Sequence, residues 1–386
     1  MKRTAVVIAI LAVAIGLLAA AHLYVATRLV LDPGLQGPAR GALLWVIAVL
    51  GVGMVLQPAA ERFYRSPALR VLSWIPLLWM GVLLLTVVML GITDGLLWLL
   101  GAAPAEGAAR IRALAVVGAV AAASAAGLRA ALAIPAVRRV EVRIERWPQS
   151  LDGFRIVQLS DLHIGSILGR EFAARLVEEV NRLSPDLVAL TGDLVDGSVR
   201  QLGGEVEPLG EFKAPHGVYF VTGNHDYYSG AEPWLTRIRE LGIQPLRNQR
   251  VEIGDARGAF DLAGVDDHRG DWLRGSTEDL AAALAGRDPD RPVVLLAHDP
   301  TSFRRARAMQ VDLQLSGHTH GGQIWPFVYL VRLAVPHVAG LLRRGQSQLY
   351  VSRGSGFWGP PIRLFAPSEI TEIVIRRGPT SAARSA

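Results

Sequence analysis

The chain has 386 residues, no cysteine and 51% hydrophobic residues, with a mean hydropathy of +0.31. That composition excludes disulfides and thiolate metal sites, and it is too apolar for an ordinary soluble protein. The net charge of +6 at first suggests nucleic acid. However, ten of the 40 Lys/Arg and four of the 34 Asp/Glu fall in residues 1–135, leaving thirty of each sign in the remainder. The excess lies among apolar runs, where it reports membrane topology, and no nucleic-acid partner is expected.

Four apolar stretches occupy that first third: 5–27, 41–57, 71–93 and 111–134. Crossing the hydrocarbon core takes about 20 helical residues, so the second stretch is the marginal one. Asp94 is the one acid close to a span, and its place at the end of the third run predicts an interfacial position. Met1–Ala21 also has the form of a signal peptide, with Lys2 and Arg3 before an apolar run and small residues after it. Lys2 and Arg3, then Arg62, Arg65 and Arg70, then Arg138, Arg139 and Arg143 flank the spans on one side. They outnumber Arg40, Arg110 and Arg112 on the other. The positive-inside rule then places both termini, and the catalytic domain, in the cytoplasm. Residues 1–135 are expected to form a four-helix anchor in the inner or plasma membrane, followed by a linker and first strand over 136–153.

From residue 154 the texture alternates between strands and helices. "FRIVQLS", "DLVAL", "GVYFVTG", "AFDLAGV", "PVVLLAH", "DLQLSG", "LYVSRG" and "EITEIVIR" read as strands, and "REFAARLVEEVNRL" and "TEDLAAALAG" as helices. The expected architecture of 154–386 is an α/β sandwich, with β-sheets flanked by helices.

Polar groups cluster just past five of these strands. Asp161 and His163 follow the first, Asp193 the second, and Asn224, His225 and Asp226 the third; His298 follows another, and His318 and His320 close the set in "GHTH". Sheets of this kind build sites at the carboxyl ends of their strands, so these groups can converge. Any one block could be a solvated turn. Together they point to a metal centre whose last ligands are His318 and His320.

The order D-x-H, G-D-x-x-D, G-N-H-D, H, G-H-x-H resembles the calcineurin-like metallophosphoesterases, over residues 154–376. "GHTHGGQ", "GVDD" and "YVSRGSG" are similar to the membrane-associated bacterial branch, which includes phosphodiesterases and UDP-2,3-diacylglucosamine pyrophosphatases. The resemblance implies a hydrolase with two divalent metal ions. One would be held by Asp161, His163, Asp193 and His320. The other would be held by Asp193, Asn224, His298 and His318, with Asp193 bridging. Carboxylates and imidazoles without thiolate suit manganese, iron or zinc. It also implies that His225 protonates the leaving oxygen and that Asp226 orients His225.

Arg353 in "SRGSG" is a candidate phosphate ligand. Asp266, Asp267 and His268 read as a solvated turn, Asp196 as loop support, and His22, His216 and His337 as unconnected histidines. Segment 324–345 is too apolar for a surface loop, yet its prolines and Arg332 interrupt it too soon for a fifth span. It would either pack on the core or form an apolar lip, with Trp325, Phe327 and Tyr329 beside the metals and Arg343 and Arg344 meeting headgroups. The expected function is hydrolysis of a phosphoester or pyrophosphate bond, with a lipid-linked substrate fitting the anchor. The alternatives are a phosphodiesterase or phosphatase acting on a soluble substrate, a non-catalytic scaffold and a transporter with a regulatory metal domain.

Overall fold

The structure, a computed structural model, describes residues 2–60, 67–101, 106–268 and 278–379. It divides into two compact units. One is Met1–Ala130 with Gly359–Ile362, and the other is Ala131–Trp358 with Arg363–Ala386.

The first unit holds α1 (Lys2–Ala26), continued by a π-helical turn over Thr27–Leu31, then α2 (Gly37–Ala60), α3 (Pro67–Leu99) and α4 (Glu106–Leu132). Ile8–Leu31, Gly37–Ala59, Leu72–Leu99 and Gly107–Leu132 are each long and apolar enough to cross a membrane. The marginal second stretch reaches 23 residues because the helix begins at Gly37, ahead of the apolar run. Leu17, Leu23, Trp45 and Trp98 are exposed, which suits lipid and not water. Asp94 has three donors: Tyr24 Oη at 2.6 Å, Arg28 Nε at 2.9 Å and Arg112 at 2.5 Å. The carboxylate thus ties α1 and its π turn to α3 and α4. Of the residues behind the topology reading, Arg62 and Arg65 lie outside the described residues, as do the side chains of Lys2, Arg3 and Arg70.

The second unit is built on two six-stranded sheets. The first has the order β1-β12-β2-β3-β4-β5, from Ala136–Ile144, Glu369–Arg377, Phe154–Leu159, Leu187–Thr191, Val218–Val221 and Gln244–Pro245. The second runs β10-β11-β9-β8-β7-β6, from Gly340–Arg344, Ser347–Val351, Leu313–Ser316, Val293–Leu296, Gly258–Gly264 and Gln249–Asp255. Ile156, Leu187 and Val221 from the first sheet share one buried cluster with Leu262, Val294 and Leu315 from the second. On the outer face of the first sheet, α5 (Arg170–Arg182) buries Phe172, Leu176 and Val180, the stripe of a helix lying on a sheet. The short helix α6 (Val199–Leu202) follows β3, and α7 (Asn224–Tyr228) follows β4. α8 (Ala231–Glu240) adds Trp234, Leu235 and Ile238 to the same cluster. α9 (Leu280–Ala283) packs on Val293 and Leu295 of the second sheet, and α10 (Phe303–Ala308) and α11 (Val328–Ala334) complete the unit.

Covered on both faces, β3, β4, β8 and β9 are wholly buried, which is why they read as unbroken apolar runs. β2-β3-β4 and β7-β8-β9 pair in parallel, so the loops leaving them gather along one edge of each sheet. The sequence reading did not anticipate β5, β6 and β10. β10 falls inside the 324–345 segment and pairs antiparallel with β11. No residue of the α11 part of that segment is buried.

Candidate metal centre

The loops leaving β2, β3, β4, β8 and β9 carry the groups singled out in the sequence. Ligand atoms of Asp161, His163 and His320 lie within 4.8 Å of one another, as do those of Asp193, His298 and His318. His163 Nε2 is 3.1 Å from His320 Nε2 and 3.8 Å from Asp193 Oδ2. Asp161 Oδ1 is 3.3 Å from His320 Nε2. On the other side, Asp193 Oδ2 is 3.2 Å from His298 Nε2, which is 3.2 Å from His318 Nδ1. Asp193 thus stands between the two groups. Asn224 is buried, and its Oδ1 has no hydrogen-bond partner among the described residues.

Local backbone geometry makes this convergence possible. Asp161, His163, Asp193, His318 and His320 all have φ between 45° and 72°, in the left-handed region. Such strain costs energy and collects at functional sites. The glycines preceding the blocks are there for space. A Cβ at Gly223 would fall 2.2 Å from Asp193 Oδ1, and one at Gly317 would fall 2.2 Å from Asp161 Oδ2.

Hydrogen bonds fix the rings. The His298 Nδ1–H faces the Thr191 carbonyl at 2.8 Å, which leaves Nε2 aimed at Asp193. Asp196 holds two histidines: both its oxygens are 3.0 Å from His163 Nδ1, and Oδ1 is 2.8 Å from His225 Nδ1. This corrects two expectations. Asp196 does more than support its loop, and the carboxylate that orients His225 is that of Asp196. Asp226 accepts instead from the backbone N–H groups of Asp193, Leu194 and Gly223 at 2.8–3.0 Å, and so fastens the Asp193 loop. The His225 ring also stacks edge-on with Trp358 and Tyr228.

The electrostatics are those of crowded buried charge. Burial pushes the Asp161 carboxyl up, and it lifts Asp226 to about 7. Burial also opposes ionisation of Asp193, but the His298 ring beside it holds that carboxyl well below the usual range. His163 is raised to about 9 against its burial, mainly by Asp196, while burial and the neighbouring His163 hold His320 well below the ordinary imidazole value. Neighbouring carboxylates raise both His163 and His298 against their burial, and the same negative charge would favour a bound cation.

Arg363 gave no signal in the sequence. Its guanidinium is fully buried and donates to the carbonyls of Gly356, Ala366, His320 and Arg353, so it braces the His320 loop from behind. Asp299 was likewise passed over, although its Oδ2 is 3.9 Å from His318 Nε2. Arg353 packs over Gly321 beside the histidine loop, with Nη1 4.0 Å from Glu369. Asp266 and Asp267 are buried, contrary to the solvated turn expected of them, and Asp266 receives a two-pronged contact from Arg247. His22 meets Trp79, and His216 meets Phe154.

A family model described as calcineurin-like phosphoesterase matches residues 154–322. An uncharacterised metallophosphoesterase of Aquifex aeolicus is 35% identical over 245 residues, covering 62% of this chain and 91% of its own length. The chain belongs to the calcineurin-like metallophosphoesterases. The transmembrane protein with metallophosphoesterase domain of Danio rerio is 39% identical over 284 residues, and its Bos taurus counterpart is 41% identical over 258. These alignments cover 71% and 64% of this chain, and the chain spans 65% and 58% of the two relatives' lengths. With its four membrane-length helices, this is a membrane-associated metallophosphoesterase.

The residues fit the dinuclear divalent centre of that family. Two imidazole nitrogens bound to one cation at about 2.1 Å stand about 3.0–3.4 Å apart. The 3.1 Å between His163 and His320 and the 3.2 Å between His298 and His318 match that spacing. The orphaned Asn224 Oδ1 is a further buried oxygen available as a ligand.

Proposed function

We propose that the protein hydrolyses a phosphoester or pyrophosphate bond of a lipid-linked substrate, using two divalent cations. Asp161, His163, Asp193 and His320 hold one, and Asp193, Asn224, His298 and His318 hold the other. The observation that carries this reading is the convergence of two ligand groups on either side of Asp193. Bound cations of this type, manganese, iron or zinc, supply Lewis acidity and water activation for in-line attack at phosphorus.

The chain's own residues supply the rest. Asp196 keeps the Nδ1–H of both His163 and His225 occupied, so that each ring presents Nε2 to the centre. To act as general acid, His225 would carry a second proton at Nε2 for the departing oxygen, with Asp196 beside Nδ1 steadying the cation, and the ring would stay hydrogen-bonded to Asp196 after giving that proton up. Arg353, whose side chain packs over Gly321 beside the histidine loop, would meet a non-bridging phosphoryl oxygen.

Support for a lipid-linked substrate comes from an apolar rim. Phe327, Tyr329, Leu330 and Leu333 on and beside α11 are exposed, Leu333 at 84%. Backbone bonds between Trp325 and Leu364 and between Leu364 and Gln323 bring exposed Phe365 to the same rim, and Phe365 has a strained φ of 61°. Gln323 exchanges two hydrogen bonds with the backbone of Trp358, whose exposed indole touches His225. Exposed apolar surface leading to a reactive histidine suits an acyl chain with its phosphate at the cations. A nucleotide–diacyl sugar such as UDP-diacylglucosamine belongs to this class.

The experiment is metal analysis and turnover of the full chain against lipid phosphates, nucleotide lipids and bis(p-nitrophenyl) phosphate, beside Asp193→Asn. Two metals per chain, with hydrolysis lost in Asp193→Asn, is the expected outcome. Full turnover in that variant would sink the two-cation reading.

A further inference from the structure

Next to the metal centre the second sheet carries a groove of about 880 Å³. Phe303, Val335, Leu342 and Leu349 give it apolar walls, and Arg304, Arg307 and Arg344 stand in its lining. The six-residue helix α10 sets this contrast. Phe303 and Ala306, three residues apart, are buried, so Arg304 and Arg307 are turned outward. Arg305 is paired with Glu278 at 2.5 Å. Among the described residues, no carboxylate lies within ion-pair distance of Arg304, Arg307 or Arg344. Three guanidinium groups with no carboxylate partner among the described residues stand over apolar walls, an arrangement that favours an anion attached to carbon.

The groove is joined to the site at two points. His268 lines it, and the His268 ring lies 3.7 Å from Asp299, whose Oδ2 is 3.9 Å from His318 Nε2. Thr319, between the two histidines of the "GHTH" loop, donates at 2.6 Å to the Val338 carbonyl. That bond fastens the wall segment containing Val335 and His337 to the ligand loop.

We infer that this groove is a second anion subsite, taking a phosphate-type group borne on an apolar chain. The inference rests on the hydrolytic reading of the neighbouring centre and narrows its substrate class. The substrate would carry, beyond the bond cleaved, a second anionic group next to hydrocarbon. Neither the ligand set nor the apolar rim around Trp358 requires such a group.

The test uses the full chain in nonionic detergent, treated with EDTA so that the metal ligands do not compete for the probe. Hexyl phosphate and inorganic phosphate are titrated calorimetrically into wild type and Arg304→Gln/Arg307→Gln. Both arginines are exposed, and thermal melting checks that the variant is folded. Hexyl phosphate should bind wild type about tenfold more tightly than inorganic phosphate, and the variant should lose about tenfold or more, as expected for charge-assisted contacts. Equal affinity in both proteins, or no binding to either, overturns the subsite. Equal affinity for the two probes overturns its apolar part. Metal-loaded wild type and variant should hydrolyse bis(p-nitrophenyl) phosphate alike, since that ester has no second anionic group. Absence of hydrolysis in wild type would count against the catalytic reading alone, because the binding comparison is made without metal. Loss confined to the variant would show that the groove is not separable from the catalytic machinery, and would also overturn the inference.

Discussion

Replacing Gly223 with alanine adds one methyl group at a φ of −105°, a backbone conformation any residue adopts, so the whole effect comes from contact. The new Cβ would lie 2.2 Å from Asp193 Oδ1 and 2.5 Å from the Asp193 backbone nitrogen, where real Cβ atoms stay beyond 3.0 Å. Asp193 cannot yield freely. Its nitrogen donates to Asp226 at 3.0 Å, and its Oδ1 accepts from the His225 N–H at 2.8 Å. Overpacking of this kind costs about 1–3 kcal/mol, or about 2–10 °C in melting temperature for a domain of this size. Restoring contact distance displaces the carboxylate by about 1 Å, which at a reacting centre can cost about 10²-fold in rate. The assay is metal content by mass spectrometry, melting by fluorimetry and turnover of bis(p-nitrophenyl) phosphate. Gly165→Ala is the matched control, because its Cβ finds its nearest neighbours at 3.5 Å. Wild-type metal content and turnover in Gly223→Ala would refute the reasoning that this glycine makes room for Asp193.

Asp196→Asn removes the charge shared by His163 and His225, and should lower metal affinity about 10–100-fold, read by chelator competition; unchanged affinity would reduce Asp196 to a loop residue. His225→Ala should keep its metals and lose about 10²–10⁴-fold in kcat on alkyl phosphate esters, with a smaller loss on nitrophenyl esters that need no proton; metal loss in that variant would undo the assignment. Serine at Phe327, Leu330 and Leu333 should impair turnover of lipid phosphates in mixed micelles and spare soluble esters; equal loss on both would point to packing. A reporter fused after Ala386 should read as cytoplasmic, and protease cleavage of the second unit from outside intact cells would reverse that orientation.

Most of the fold was legible because its strands are buried on both faces and therefore unbroken in hydrophobicity. β3, β8 and β9 could be placed to within a residue or two. β6 was not seen because "QRVEIGD" has only two apolar side chains, Val251 and Ile253, at a sheet edge, too short an alternation to stand out from a polar loop. The ligand blocks were legible because each directly follows a strand. What escaped was whatever depends on how separate loops meet. Asp196 reaches two histidines because Ile164 and Val195 bridge the loops after β2 and β3, a pairing that no local spacing encodes. Asp226 looked like a partner for His225 because the two are adjacent in sequence. On a short helix, however, adjacent side chains diverge, and Asp226 turns back to the backbone of Asp193. Arg363 lies 43 residues beyond the histidine it braces.

The left-handed backbone at five of the candidate ligands also limits which sequences can carry this centre. Apart from glycine, the residues that occupy that region with least penalty are asparagine, aspartate and histidine. Two of these three, aspartate and histidine, stand at the five candidate positions. Two independent filters, one conformational and one coordinative, therefore select a single small alphabet. Glutamate offers the same carboxylate as aspartate, but at Asp161 or Asp193 it would be rejected by the main chain before its longer reach mattered. A variant library over these positions should thus collapse onto Asp, Asn, His and Gly even when it is selected for folding alone. Glutamate should be depleted as strongly as alanine.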